Sequence, residues 1–230
     1  MLSFNTRIKL IVLFISCCSV MQNALQQHET WWTINTHKIP ETLSNWLGDA
    51  QANSRIFIRE YLQKTSYITL LDIPCGTCID YLAFSQYNPF LKYTGLDITE
   101  PMVKQARALG ANAHIGSIEN IPFDDSSFDV AYTRHLLEHL SYYTKAVSEL
   151  IRVAKHEAIV IFFIIPTCEP DEIKLTEDRD AMLYHNHYNK DIFEAFILTH
   201  KKVKEIRWDN LGNTECGQEA VAHIYMQLDA

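Results

Sequence analysis

The stretch Ile68–Tyr81, ITLLDIPCGTCIDY, limits most sharply what this chain can fold into. It opens with Ile68, Thr69, Leu70 and Leu71, the β-branched and apolar residues that fill a parallel strand buried on both faces. Asp72 stands where that strand would end. A tight turn follows, Pro74-Cys75-Gly76-Thr77-Cys78, and then residues able to start a helix. A buried strand that breaks through such a turn into a helix lets backbone approach a ligand. The helix start then offers free N–H groups to the ligand's anionic end. The feature predicts an α/β protein with an adenosine-type ligand site. An ordinary strand and turn with no ligand is the competing interpretation, because a degenerate glycine pattern is weak by itself.

The rest of the chain extends this plan. Asp49–Gln63 predicts a helix ahead of the first strand, with Ile56, Tyr61 and Leu62 on its core-facing stripe. A helix through Ile79, Leu82, Ala83 and Phe84 should end at Asn88-Pro89. Lys92–Leu96 predicts a second strand closed by Asp97. An acid some 20–25 residues after the first is where dinucleotide-type folds place a carboxylate for ribose hydroxyls. Thr99 predicts a helix cap, with Pro101 in the first turn. Ala111–Ile115, Phe128–Thr133 and the strongly apolar His156–Ile165 predict the third to fifth strands, with a helix over Tyr142–Ala154. Asn189–Thr199 predicts the last helix. Val203–Asp209 and Ala220–Leu228 predict a final strand pair, turning near Gly212-Asn213.

Several of these segments carry a resemblance. LLDIPCGTCID resembles the first motif of class I S-adenosylmethionine-dependent methyltransferases, usually an acid followed by x-G-x-G-x-G. Pro74 and Cys78 take the first and third glycine places, and Gly76 keeps the second. YTGLDITEPMVKQAR resembles the second motif of that family. Ile121–Val130, IPFDDSSFDV, resembles the family's Leu-Pro-Phe and Ser-Phe-Asp-Val stretch and is the most specific match. Ser117 stands where the family usually has an acid for the adenine amine. Arg134–Leu140 is similar to a His-Leu-Glu-His stretch at the mouth of the family's cofactor site. The resemblance runs from about Ser66 to Leu228.

It implies a doubly wound, mostly parallel seven-stranded Rossmann-like sheet with helices on both faces, and S-adenosylmethionine as cofactor. Asp72 would orient the turn and the cofactor's methionine end, with Pro74, Cys75 and Gly76 in close approach. Asp97 and Ile98 would hold the ribose, Ser117 and Ile118 would flank the adenine, and Arg134 would stand at the mouth. His135 and His187 are the acid–base candidates for a small-molecule acceptor. The family's amino-group nucleic-acid enzymes carry an Asn or Asp-Pro-Pro-aromatic motif after the fourth strand. Thr133-Arg134-His135-Leu136 stands there instead. A nicotinamide-dependent oxidoreductase would show a fuller glycine fingerprint. A catalytically inactive relative is kept open by Cys78 and Ser117.

Composition narrows the partners. The net charge of −8 over 230 residues argues against a nucleic-acid footprint, which needs clustered Lys and Arg. The six cysteines are scattered, without the pattern of a disulfide framework. Cys75-x-x-Cys78 lacks the second ligand pair that zinc needs, and His185-x-His187 alone is weak, so no metal is expected. A redox pair at Cys75 and Cys78 competes with the turn's ligand role.

Three segments are expected: a hydrophobic one at 1–22, a helical cap at 23–65 and the cofactor-binding domain at 66–230. In the first, Arg7 and Lys9 precede an apolar run, Leu10–Val20, shorter than the ~20 residues of a membrane span. It reads as a signal core, a lipoprotein-like site, a shallow anchor, or residues upstream of a start at Met21. A cytoplasmic catalytic domain is expected, with membrane contact confined to residues 8–20. The acidic stretch Pro166–Tyr188 is expected to roof the substrate.

Overall fold

The computed structural model describes residues 52–178, 181–213 and 218–227. The expectations for residues 1–22, for residues 23–51 of the cap, and for Cys17, Cys18 and Cys216 lie outside the described residues.

Strands β1 (Thr69–Asp72), β2 (Lys92–Asp97), β3 (Ala113–Ile115), β4 (Phe128–Arg134) and β5 (Ala154–Phe162) run parallel. Two further strands, β8 (Val203–Asn213) and β9 (Gln218–Met226), add antiparallel to β5 and to each other. The seven-stranded order is β3-β2-β1-β4-β5-β9-β8. Five helices are described: α1 (Asn53–Gln63), α2 (Ile79–Tyr87), α3 (Glu100–Ala108), α4 (Thr144–Val153) and α5 (Lys190–Leu198).

Side-chain alternation along the strands divides the core in two. Leu70, Val130, Tyr132, Ile159 and Ile161 point to one face, where Ile58 and Leu62 of α1, Phe84 of α2 and Val103 of α3 meet them. Leu71, Ala131, Ala158, Val160 and Phe162 point to the other, against α4 and α5. Both faces are covered, which is why these strands read as continuous apolar runs. Helix α4 shows the logic locally. Ala146, Val147, Leu150, Ile151 and Val153 fall on one stripe and are all buried, at roughly 1.5–3 kcal/mol for each large side chain.

The expected elements form, with shifted ends. The fifth strand begins two residues earlier than the apolar run, at Ala154, because α4 passes directly into it. Asn189 caps α5 by accepting from Ile192 N–H at 2.9 Å. Thr99 precedes α3 without a side-chain cap. The stretch expected to be irregular contains a hairpin, β6 (Leu175–Asp178) with β7 (Ala181–Tyr184).

Strand β1 has β2 on one side and β4 on the other, so the chain reverses its direction of sheet growth there. The crevice outside the carboxyl ends of strands at such a switch point is where open α/β sheets bind ligands. Among the described residues, no helix is long and apolar enough to cross a membrane.

Candidate functional site

A cleft opens at that switch point. Its walls include Asp72, Pro74, Cys75 and Gly76 after β1, Asp97, Ile98 and Thr99 after β2, and Arg134, His135 and Leu136 after β4. Arg55 of α1 and Asp80 of α2 complete one side, and Met102 of α3 the other.

Asp97 organises the floor. Gly76 N–H donates to its Oδ2 at 2.9 Å and Thr99 N–H to its Oδ1 at 2.8 Å. One carboxylate thus ties the turn after β1 to the start of α3, and each oxygen keeps a lone pair for a further donor. Burial pushes the Asp97 carboxyl up, and the two backbone donors oppose that shift. Gly76 adopts a positive φ of 51°, and a Cβ built on it meets nothing within 4 Å. The turn therefore faces open space with bare backbone.

A charged group lies beside it. Arg55 pairs with Asp80, both almost fully buried. Tyr93 donates its hydroxyl to Asp72 Oδ2 at 2.5 Å. Burial, followed by the nearby Asp80, pushes the Asp72 carboxyl well up. Asp80 Oδ1 and the Tyr132 hydroxyl are buried without hydrogen-bond partners. Buried polar atoms are rarely left unmet, so such atoms beside a cleft mark where a polar ligand docks.

His135 forms the mouth. Its φ is +55°, unusual for a residue with a Cβ, and its N–H is held by Ile161 C=O at 2.8 Å. Its Nε2 lies 2.6 Å from Glu219 Oε1, on β9. Glu219 also accepts from the Ser54 hydroxyl at 2.8 Å. Burial, then the Arg134 charge, lowers the imidazole to about 4. Burial opposes the charge on Glu219, but His135 and Ser54 keep its carboxyl below its ordinary value. The pair is therefore a neutral imidazole beside an ionised carboxylate.

Three expected site residues stand elsewhere. Ser117 Oγ accepts from Glu119 N–H at 3.2 Å, closing its own turn. Ile118 is buried in the core with Ile121. Neither is part of the cleft wall. His187 is exposed and pairs by backbone with Glu172. Alternation explains this: Asn186 and Tyr188 on either side are buried, locked by Asn186 Nδ2–H to Leu140 C=O at 2.7 Å and Tyr188 O–H to Leu137 C=O at 2.6 Å. That parity turns the His187 side chain to solvent.

Sequence reasoning missed Arg55 and Asp80 as cleft residues, and Glu219 as the partner of His135 behind the cleft wall. Asp80 in the first turn of the helix after the motif was a usable signal. Arg55 and Glu219 had none, since tertiary packing alone brings them in from distant elements.

The fold and cleft define a nucleotide-type cofactor-binding α/β protein. Residues 71–162 match the family described as "Methyltransferase domain". An uncharacterised methyltransferase, YcgJ of Bacillus subtilis, is 31% identical over 128 residues, covering 53% of this chain and 47% of that protein. Ajmaline N-methyltransferase of Rauvolfia serpentina is 29% identical over 127 residues, covering 50% of this chain and 42% of that one. The matched part thus spans about half or less of the length of these relatives. In fold, the chain is similar to 1,6-didemethyltoxoflavin-N1-methyltransferase of Burkholderia thailandensis, solved with that compound and S-adenosylhomocysteine. The TM-score is 0.65 at 11% identity, over 91% of each chain. Residues 71–162 thus carry a methyltransferase domain, and the chain is similar to the class I S-adenosylmethionine-dependent methyltransferases.

The residues present fit that family's cofactor. Pro74, Ile98, Met102 and Leu136 supply apolar wall, and Asp97 supplies acceptors for hydroxyls. Arg55 and Arg134 supply cationic groups, and Asp80 Oδ1 an unmet acceptor.

Proposed function

We propose that this chain transfers a methyl group from S-adenosylmethionine to a small-molecule acceptor. The observation that carries it is Asp97 joining the Gly76 turn to the start of α3 at the switch point, under an open cleft. Bound there, S-adenosylmethionine supplies an electrophilic methyl group on a sulfonium centre.

Asp97 accepts from ribose hydroxyls with its remaining lone pairs. Arg55 and Arg134 attract the amino-acid carboxylate, and Asp80 Oδ1 accepts from the ammonium. Ile98, Met102 and Leu136 exclude water, so the acceptor's nucleophile is aligned rather than solvated. His135, neutral near pH 7, donates Nε2–H to Glu219 and takes the acceptor's proton at Nδ1.

The printed names of two relatives, an ajmaline and a didemethyltoxoflavin methyltransferase, support a small acceptor. The net charge of −8 supports it as well. Calorimetry on the full chain with S-adenosylmethionine and S-adenosylhomocysteine, with NAD as control, tests the cofactor. The expected Kd is on the order of micromolar for the first two; no heat with folded protein overturns the proposal. Transfer of labelled methyl to a panel of amines, phenols and carboxylates, with bulk tRNA as control, tests the acceptor class. Membrane contact through residues 8–20 is a separate expectation, tested by flotation of the full chain with anionic vesicles.

A further inference from the structure

Two thiols to which the proposed function gives no chemical step meet in the cleft wall. Cys75 and Cys78 close one turn, with Cys78 N–H donating to Cys75 C=O at 2.8 Å. A turn closed this way holds its end Cα atoms within about 7 Å, and disulfides span roughly 4.4–6.8 Å. Both side chains lie over Gly95 of β2. A Cβ built on Gly95 would fall 2.8 Å from Cys75 Sγ and 3.1 Å from Cys78 Sγ. Only glycine leaves room there, and the two sulfurs share the space.

Their access differs. Cys78 is fully buried, whereas Cys75 is 8% exposed and lines the cleft. The adjacent Cys75 thiol, and then the Tyr93 hydroxyl, which donates to Cys78 Sγ at 3.4 Å, lower the Cys78 pKa against the opposing effect of burial, and the same proximity with burial pushes the Cys75 thiol up. Cys78 also immediately precedes α2, where a helix start favours a thiolate. Cys168 is an exposed cysteine elsewhere on the chain and serves as an internal comparison.

We propose that Cys75 and Cys78 are a modification site, oxidised by a peroxide to an intramolecular disulfide that weakens S-adenosylmethionine binding; the second half of this rests on the proposed function. One of the two sulfurs attacks a peroxide oxygen and the O–O bond breaks. With hydrogen peroxide this gives a sulfenic acid and one water. The other sulfur then attacks the sulfenic sulfur, the S–O bond breaks, and the hydroxyl leaves as a second water with the attacking thiol's proton. Two thiols are oxidised and one peroxide is reduced.

The effect on the cofactor follows from what the turn holds. An S–S bond of about 2.05 Å requires the two sulfurs to draw together from non-bonded contact. Cys75 N–H is bonded to Leu96 C=O at 3.0 Å, and the next residue, Gly76, to Asp97 at 2.9 Å. The contraction is therefore passed to the link between the turn and the ribose-holding carboxylate.

The test treats the full chain with hydrogen peroxide, maps its peptides by mass spectrometry and measures the S-adenosylmethionine Kd before and after. The expected result is a Cys75–Cys78 linkage lighter by two hydrogens and a Kd about tenfold weaker, restored by dithiothreitol. Cys78→Ser and Cys78→Gly are expected to form no such linkage and to show the same Kd with and without peroxide. The glycine variant suits the left-handed φ of 60° at this position and keeps the test open if the serine variant does not fold. Peroxide treatment that oxidises Cys168 but never links Cys75 to Cys78 overturns the proposal, as does a linkage with an unchanged Kd. Reduced protein that binds no S-adenosylmethionine overturns the cofactor assignment and the regulatory half with it, while the peptide map still decides the disulfide.

Discussion

Two buried polar groups sit at opposite ends of the same sheet and are finished differently. Near the start of β5, Glu157 is wholly buried and its donors are complete. Tyr61 O–H reaches its oxygens at 2.8 and 3.0 Å, Tyr67 O–H at 2.9 Å, and His223 Nδ1–H at 2.6 Å. These bonds fasten α1 and the approach to β1 onto β5 and β9. At the carboxyl ends of the strands, Asp80 Oδ1, the Tyr132 and Thr133 hydroxyls and Glu138 Oε2 are buried without partners. A complete set of bonds makes a rigid joint, and leaving a buried polar atom unmet costs about 1–3 kcal/mol. The molecule tolerates that cost at the end where a polar ligand can repay it. The contrast separates structure from binding more sharply than charge content does, because both ends are rich in ionisable groups.

Four measurements can break or sharpen this contrast. The largest effect is expected from Glu157→Ala, which strands two phenols and an imidazole in the core. Urea unfolding should show a loss of about 4 kcal/mol, while the S-adenosylmethionine Kd of the folded fraction stays within about twofold. A loss below about 1 kcal/mol would dissolve the comparison.

Next is Glu138, whose carboxyl burial pushes from 4.5 up to about 8. The folded chain holds a proton that the unfolded chain releases, so this contribution is whole below pH 4.5 and is lost as pH rises through 8. Stability should fall by roughly 4 kcal/mol between those limits, and Glu138→Gln, always neutral, should remove that slope. Parallel pH curves for the two proteins would refute it.

Third, Asp97→Ala should weaken S-adenosylmethionine by about 100-fold in calorimetry, since it removes ribose acceptors and unties the Gly76 turn. Retained affinity would move the ligand out of this cleft. Smallest is Asp80→Asn, expected to weaken the same binding about tenfold. An unchanged Kd there would mean that its unmet oxygen serves no ligand.

The glycine-poor turn shows how far local sequence carries. Asp72, Pro74, Cys75, Gly76, Asp97 and Ile98 follow strand ends whose apolar runs are plain in the sequence, and the structure brings them to one cleft. Arg134 and His135 arrive the same way, at the end of β4. Ser117 and Ile118 rest on resemblance alone; the Ser117 hydroxyl closes its own turn and the Ile118 side chain packs in the core. His187 was chosen for its chemistry in a stretch without visible periodicity. The local alternation that exposes it appears only once Asn186 and Tyr188 are seen locked against the Leu137–Leu140 segment.

What the sequence by itself determined is the order of strands and helices and the places where strands end in acids. Those depend on apolar period and on turn chemistry between near neighbours. Only the tertiary structure decided which distant groups would meet at the cleft or behind its wall: Arg55 against Asp80, Glu219 against His135, and the sulfurs of Cys75 and Cys78 over Gly95. Such pairs are set by sheet register and helix docking, which are many-body outcomes of packing the whole core, and no local spacing encodes them.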